Sequence, residues 1–139
     1  MGAVNLDQIL LTHLKRIPLK GGDVLHALKH SEVGFKAFGE AYFSTINQGA
    51  IKGWKLHSKM TLNLVVPLGE VRFVFVSEDR KTRREEIIGE KNYARITVPP
   101  GIWFGFQGLS SPFSLVLNVA DILHDPMEIV RADISEIKF

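Results

Sequence analysis

The stretch P-L-G-E-V-R-F-V-F-V, residues 67–76, decides the fold of this chain. Its first four residues carry the Pro and Gly of a tight turn. The next six are rich in the β-branched and aromatic residues that strands favour. The sequence therefore predicts a strand over residues 71–76 that follows directly on a turn, with a preceding strand over residues 60–66.

The same pattern continues on both sides, since Gly and Pro interrupt segments rich in Val, Ile, Phe and Thr. Such spacing is typical of an all-β sandwich or barrel, and no helix of convincing length is predicted. Residues 24–29 fit a strand or a single helical turn, and residues 125–137 fit a helix loosely and a strand no better.

A solvated loop is expected over the charge run at residues 77–86, with phosphate contact by Arg80, Arg83 or Arg84 as the alternative. The other predicted strands are residues 9–17, 35–46, 93–98, 103–107 and 113–120.

Composition limits the class of protein. The 139 residues predict one domain, in which an N-terminal strand segment over residues 1–34 precedes a barrel core over residues 35–133. Net charge is only +2, with both signs interspersed, so no nucleic-acid partner is expected. The absence of cysteine excludes disulfides, thiolate metal sites and cysteine nucleophiles. No leader peptide or membrane-spanning apolar run is evident, so a cytoplasmic location is expected.

Residues 49–57, G-A-I-K-G-W-K-L-H, place Lys52, Trp54, Lys55 and His57 in a strand-prone region. Polar groups are costly to bury without partners, so this cluster is a candidate site. Lys55 and His57 continue at a spacing of two through Lys59 and Thr61 to Asn63, and could line one face of a barrel. Such a face would suit an anionic ligand. The alternative is that the same face meets solvent.

Two further clusters have a functional and a structural interpretation. The aromatic residues of segment 99–106, including Trp103, could stack on a base or sugar ring, although plain core packing is favoured. His124 stands beside Asp125, and a carboxylate can orient and charge a histidine. An ordinary turn hydrogen bond is the favoured interpretation there.

No metal or cofactor is predicted. The histidines are scattered, and the pair His26 and His30 lies where no reliable helix can be drawn. The sequence also lacks the G-x-S-x-G, Walker and dinucleotide-binding motifs, so hydrolase and P-loop functions have no support.

Four segments together resemble the dTDP-4-dehydrorhamnose 3,5-epimerases and shorter epimerase-like proteins of surface-polysaccharide loci. They are the two segments quoted above, V-P-P-G-I-W-F-G-F-Q-G-L at residues 98–109 and H-D-P-M-E at residues 124–128. The resemblance implies a cupin-type double-stranded β-helix, or jelly roll, and a homodimer. It also implies a nucleotide-linked 4-keto-6-deoxyhexose held in the barrel without a metal.

The family abstracts a proton next to a ketone, using a histidine base oriented by an aspartate and a tyrosine acid. By resemblance, Lys52 takes the place of the family's phosphate-binding arginine, and Lys55 takes the place of its base. His57 could substitute as the base, and Asp133 fits the orienting aspartate. Asn118 stands where the family has the acid. The family's enolate-stabilising lysine falls near Leu62 or Asn63, and the histidine of its P-P-G turn is replaced by Phe104.

The resemblance therefore implies an epimerase or isomerase of a dTDP-type sugar in lipopolysaccharide or other surface-polysaccharide biosynthesis. A non-catalytic sugar-nucleotide or glycan-binding protein of the same pathway is the alternative. The catalytic candidates are Lys55, His57 and Asp133, and the substrate-binding candidates are Lys52, Trp54, Asn63, Arg72, Arg80, Trp103, Asn118 and His124.

Overall fold

A computed structural model describes residues 4–139, so the first three residues of the predicted N-terminal segment lie outside it. The regular structure of the described chain is almost entirely β-strand, which confirms the predicted all-β class. The strands are β1 Leu10–His13, β2 Arg16–Ile17, β3 Val24–Leu25, β4 Glu40–Asn47, β5 Ile51–His57, β6 Leu62–Leu68, β7 Glu70–Ser77, β8 Arg83–Gly89, β9 Ala94–Val98, β10 Ile102–Gly108, β11 Phe113–Ala120 and β12 Ile129–Arg131. Two single 3₁₀ turns, Leu6–Gln8 and Pro126–Glu128, complete the described elements.

Two five-stranded antiparallel sheets form the barrel. The first has the order β1-β9-β6-β11-β4 and the second has the order β12-β5-β10-β7-β8, while β2 and β3 pair separately. Neighbouring strands are mostly distant in sequence, which is the connectivity of a jelly roll. Because β1 pairs with β9, the first sheet already includes residues 10–13, ahead of the predicted start of the barrel core at residue 35. No helix among residues 4–139 is long and apolar enough to cross a membrane.

Strand β7 is packed against apolar residues on both of its faces. Its residues Phe73 and Phe75 belong to the core between the sheets, whereas Val74 and Val76 belong to a second apolar cluster. Since successive side chains of a strand point to opposite faces, β7 is buried on both sides. The second cluster is covered by the C-terminal segment, whose Ile137 is 7% exposed. The second sheet is therefore enclosed on its inner and outer faces.

The predicted turn between residues 67 and 70 is present but short. Pro67 and Leu68 still belong to β6, and Gly69 makes the turn with φ of 81°. An L-residue with a side chain rarely adopts this left-handed conformation, so glycine suits the position. A Cβ there would also approach the Ser114 hydroxyl to 2.3 Å.

The loop predicted over residues 77–86 is wrong in its second half, because β8 begins at Arg83. Arg72 of β7 pairs with Glu85 at 2.8 Å, and Arg84 pairs with Glu86 at 3.0 Å. The charges thus lie on an exposed edge strand, where they discourage further strand pairing. Density of charge alone did not distinguish such a strand from a loop.

Several predicted bounds also differ from the structure. The strand expected over residues 9–17 is divided into β1 and β2, and β4 begins at Glu40 rather than residue 35. The segment before β4 is held instead by side chains of the first sheet. Arg95 donates to the Ala27 carbonyl at 2.7 Å, and Asn63 donates to the Gly34 carbonyl at 2.9 Å. These contacts give the segment irregular structure that periodicity could not predict.

Candidate active site

A cavity of about 540 Å³ lies in the barrel, between the two sheets. Strands β4 and β11 of the first sheet contribute Tyr42 and Asn118, and β5 of the second sheet contributes Lys52 and Lys55. The segment that starts at Arg131 lines the cavity as well. Apolar residues of the core, including Phe73 and Phe106, form the remaining wall. The cavity is thus mostly apolar with a few polar groups, as small-molecule sites commonly are.

Lys55 is half-buried and lies on β5, between β12 and β10 of the second sheet. It pairs in register with Phe104 of β10 on one side and with Arg131 of β12 on the other. Burial lowers the pKa of the Lys55 amine, and the nearby charges of Arg131 and Lys52 lower that pKa further. A lysine with a lowered pKa has more of the neutral amine that can accept a proton.

Tyr42 and Asn118 form a polar pair on the facing sheet. They are register partners of β4 and β11, and the Asn118 Nδ2 donates to the Tyr42 hydroxyl at 3.0 Å. Asn118 is 7% exposed, and its Oδ1 is buried without a hydrogen-bond partner among the described residues. Asn118, which the resemblance aligns with the family's acid, is an amide, and its hydrogen bond holds the Tyr42 phenol at the cavity wall.

His57 is held by Glu128 outside the cavity lining. Its Nδ1 lies 2.5 Å from the Glu128 Oε2, and its ring stacks on Phe104 with centroids 6.0 Å apart. The Glu128 Oε1 accepts the backbone amides of Lys59 and Met60 at 3.0 and 2.9 Å. Burial alone would raise the pKa of Glu128, but the hydrogen bonds from His57 and the two amides lower it below its ordinary value.

The structure brings five of the predicted site residues together. Lys52, Trp54, Lys55, Asn118 and Asp133 line the cavity. Within it, the Lys52 amine donates to the Thr45 carbonyl at 2.9 Å. Asp133 does not bond to His57, whose carboxylate partner is Glu128. The orienting carboxylate thus sits on the 3₁₀ turn before β12 rather than after that strand.

The other predicted site residues do not line the cavity. Asn63 faces the opposite side of the first sheet, where its Oδ1 accepts from Arg95 at 3.0 Å and from Thr97 at 2.6 Å. The predicted polar face ends early because β5 stops at His57 and residues 58–61 connect it to β6. Lys59 is exposed there and Thr61 is buried.

Two predicted substrate-binding arginines are engaged near the outer face of the second sheet. Arg72 bonds to Glu85 and lies over the ring of Phe139, and Arg80 lies over the ring of Trp103 at 5.2 Å. Trp103 itself is packed in the outer apolar cluster, as the favoured core interpretation predicts. Of the nearby aromatics, Phe104 and Phe106 line the cavity instead.

His124 is exposed and lies outside the cavity. Its neighbour Asp125 accepts the Met127 amide at 3.0 Å and so caps the 3₁₀ turn that carries Glu128. A turn hydrogen bond is thus the role of Asp125. No group of three or more His, Asp or Glu side chains within residues 4–139 is placed to hold a metal ion.

Sequence reasoning missed Tyr42, Glu128 and Arg131. Tyr42 shares a strand face with Ser44 by alternation, and both line the cavity, but nothing in the sequence shows that β4 pairs with β11. Glu128 directly precedes β12 and Arg131 is its last residue, and this three-residue strand is too short to show a periodicity. Their positions follow from the pairing of β12 with β5, which brings together residues far apart in the chain.

Comparison with solved structures finds a close relative of this chain. No family model and no curated protein matches the chain. The solved structure of a dTDP sugar isomerase from Desulfovibrio desulfuricans G20 is 35% identical with a TM-score of 0.89, and the match covers 96% of this chain and 90% of that one.

Two more distant structures share the fold. A dTDP-4-dehydrorhamnose 3,5-epimerase from Sulfolobus tokodaii is 22% identical with a TM-score of 0.82, over 99% of this chain and 85% of that one. A sugar 3,4-ketoisomerase from Thermoanaerobacterium thermosaccharolyticum, solved in complex with TDP, is 17% identical with a TM-score of 0.79, over 96% and 97%.

Proposed function

Since the chain belongs to the RmlC-like cupin family of dTDP-sugar isomerases and epimerases, we propose that it isomerises a dTDP-linked 4-keto-6-deoxyhexose. The family membership confirms the predicted cupin jelly roll. The reaction class is proton abstraction from a carbon next to the ketone. We assign the product to surface-polysaccharide biosynthesis and expect the protein to act as a homodimer.

One observation carries the proposal: the cavity has an amine on one sheet and a phenol on the other. Lys55 lies on β5, and Tyr42 lies on β4 beside Asn118. A sugar ring held between the sheets would therefore have a proton acceptor on one side and a proton donor on the other. Each such group contributes on the order of 10²–10⁴-fold to rate when well placed.

The proposed step begins with the neutral Lys55 amine, which takes the proton from the carbon next to the ketone. The electron pair of the broken C–H bond moves into the enolate, and the amine becomes an ammonium. That ammonium and the Arg131 guanidinium then stabilise the negative charge on the enolate oxygen. The Tyr42 hydroxyl returns a proton to carbon, and the Asn118 amide stabilises the phenolate that forms.

His57 is the second candidate base. Its bond to Glu128 fixes Nδ1, and Nε2 makes no hydrogen bond to any described residue. The His57 ring packs on Phe104, which lines the cavity. Lys55 is preferred because its side chain already lines the cavity.

The cavity cations also fit an anionic substrate. Even with Lys55 neutral, Lys52 and Arg131 outnumber the single acidic residue of the lining, Asp133. The diphosphate of a nucleotide sugar would offset this excess charge. We assign the diphosphate to Lys52 and place Trp54 and Asp133 among the residues that shape the binding site.

The proposal is tested by incubating wild-type protein with dTDP-4-keto-6-deoxyglucose in heavy water and following the sugar protons by NMR. Loss of a proton signal next to the ketone, with deuterium in its place, supports the enzyme. Tight binding without exchange would instead favour the sugar-nucleotide-binding alternative. Neither exchange nor binding across several nucleotide sugars would contradict both functions.

A further inference from the structure

Two basic residues lie side by side on paired strands in the wall of the cavity. Arg131 of β12 is the register partner of Lys55 on β5, and both line the cavity. Directly opposite residues on paired antiparallel strands leave the same face of the sheet, and like charges there destabilise the pairing. A neutral Lys55 would remove this repulsion, whereas Arg131 stays protonated in proteins.

Arg131 differs from the other arginines in having no partner. Within residues 4–139, its guanidinium makes no hydrogen bond and no ion pair. Five other arginines have a carboxylate partner, and the sixth, Arg80, stacks on Trp103. Arg131 is exposed, so water screens part of its charge, but no carboxylate neutralises the remaining effect on Lys55.

The groups around Lys55 do little to stabilise the positive charge of a protonated amine. On its own strand, Lys52 adds a second positive charge, and its partner on β10 is the uncharged Phe104. The acidic residue of the cavity lining, Asp133, is exposed and accepts a hydrogen bond from the Ser135 hydroxyl at 3.2 Å.

Two other polar side chains near the site, His57 and Tyr42, already have partners. His57 is bonded to Glu128, and on the facing sheet the Tyr42 hydroxyl accepts from Asn118. Within residues 4–139, the Lys55 amine makes no hydrogen bond or ion pair that would stabilise its charge.

We propose that Arg131 is a positioning residue for Lys55: its guanidinium, on the same face of the sheet as the amine, increases the uncharged fraction of Lys55 that can accept the substrate proton. This inference rests on the proposed function, in which Lys55 is the base. The lowered pKa of Lys55, caused by burial and then by Arg131 and Lys52, agrees with it. A charged neighbour of this kind is a known way to activate a lysine.

The test follows the Cε chemical shift of Lys55 by NMR through a pH titration, in lysine-labelled protein without substrate. Lys55→Ala assigns the signal. Arg131→Gln is expected to move the Lys55 midpoint to higher pH, and Arg131→Lys to move it back toward the wild-type value. Arg16→Gln, which removes an arginine paired with Asp23 away from the cavity, should leave the midpoint unchanged.

The same variants are then assayed with substrate. In Arg131→Gln the acidic limb of the kcat/KM profile should move to higher pH, because this profile reports the free enzyme. An unchanged Lys55 midpoint would overturn the inference even in an active enzyme. A raised KM in Arg131→Gln with an unchanged Lys55 midpoint would also overturn the inference. It would indicate that Arg131 contacts the phosphates of the substrate. A raised midpoint in a protein that exchanges no proton would refute the proposed function and, with it, the catalytic part of this inference.

Discussion

The carboxylate of Glu128 holds the ring of His57 through a hydrogen bond of 2.5 Å and holds the amides of Lys59 and Met60 through its other oxygen. This arrangement joins the end of β5 to the turn before β12. Glu128 is 2% exposed, so its charge depends on these three partners. The contact therefore fixes the strand pair that carries Lys55 and Arg131.

Glu128→Ala should lower the free energy of unfolding by about 3 kcal/mol, because it breaks a buried pair and leaves polar groups without partners. Glu128→Gln should cost less, since its carbonyl still accepts an amide. Denaturant unfolding of both variants measures the difference. Equal stability of Glu128→Ala and wild type would show that the contact does not support the fold.

The stability of the wild type should depend on pH through Glu128. The folded protein holds the pKa of this carboxyl below its ordinary 4.5. The carboxylate therefore contributes its full stability above the unfolded pKa, and the contribution is lost as pH falls through the folded pKa. The stability advantage over Glu128→Gln, measured by urea unfolding, should shrink as pH falls below about 4.5. An advantage that grows on acidification would contradict this assignment.

Arg95 should matter for stability far more than a surface arginine. It is 1% exposed and bonds to Asn63, the Ala27 carbonyl and Glu32. Arg95→Ala should cost about 3 kcal/mol, because it leaves buried acceptors unpaired. Arg16→Ala breaks only an exposed pair and should cost less than about 1 kcal/mol. Thermal or urea unfolding of the two variants makes the comparison, and equal losses would contradict the buried network.

The phenol of Tyr42 should be needed for turnover. Tyr42→Phe removes the proton donor and should lower kcat by about 10²-fold or more, with a smaller effect on KM. Tyr93→Phe is the matched control, because the Tyr93 hydroxyl donates to the His26 carbonyl outside the cavity. Unchanged kcat in Tyr42→Phe would remove this residue from the mechanism.

Much of the fold could be predicted from local pattern. The run at residues 71–76 falls within β7 and residues 113–120 coincide with β11, because turn residues and β-branched side chains mark them. Strand β8 was missed because its alternating Arg and Glu look like a solvated loop until their partners on β7 are known. Bounds near residues 27–39 depend on the buried Arg95 and Asn63, which no local pattern reveals.

The sequence predicted the site residues on β5 but missed those that reach the cavity only through the pairing of distant strands. Lys52 and Lys55 stand in the segment that the sequence singled out, and both line the cavity. Tyr42 and Arg131 reach the same cavity only because β4 pairs with β11 and β12 pairs with β5. A single sequence carries no direct signal of such long-range register, so these residues required the structure.

The role of Lys55 as the base is tested by comparing deuterium exchange at the sugar carbons next to the ketone between Lys55→Ala and Lys59→Ala. Both variants remove one lysine, but Lys59 is exposed outside the cavity. We expect wild-type exchange in Lys59→Ala and a loss on the order of 10²–10⁴-fold in Lys55→Ala, with both proteins folded. Exchange by Lys55→Ala at the wild-type rate would contradict this role.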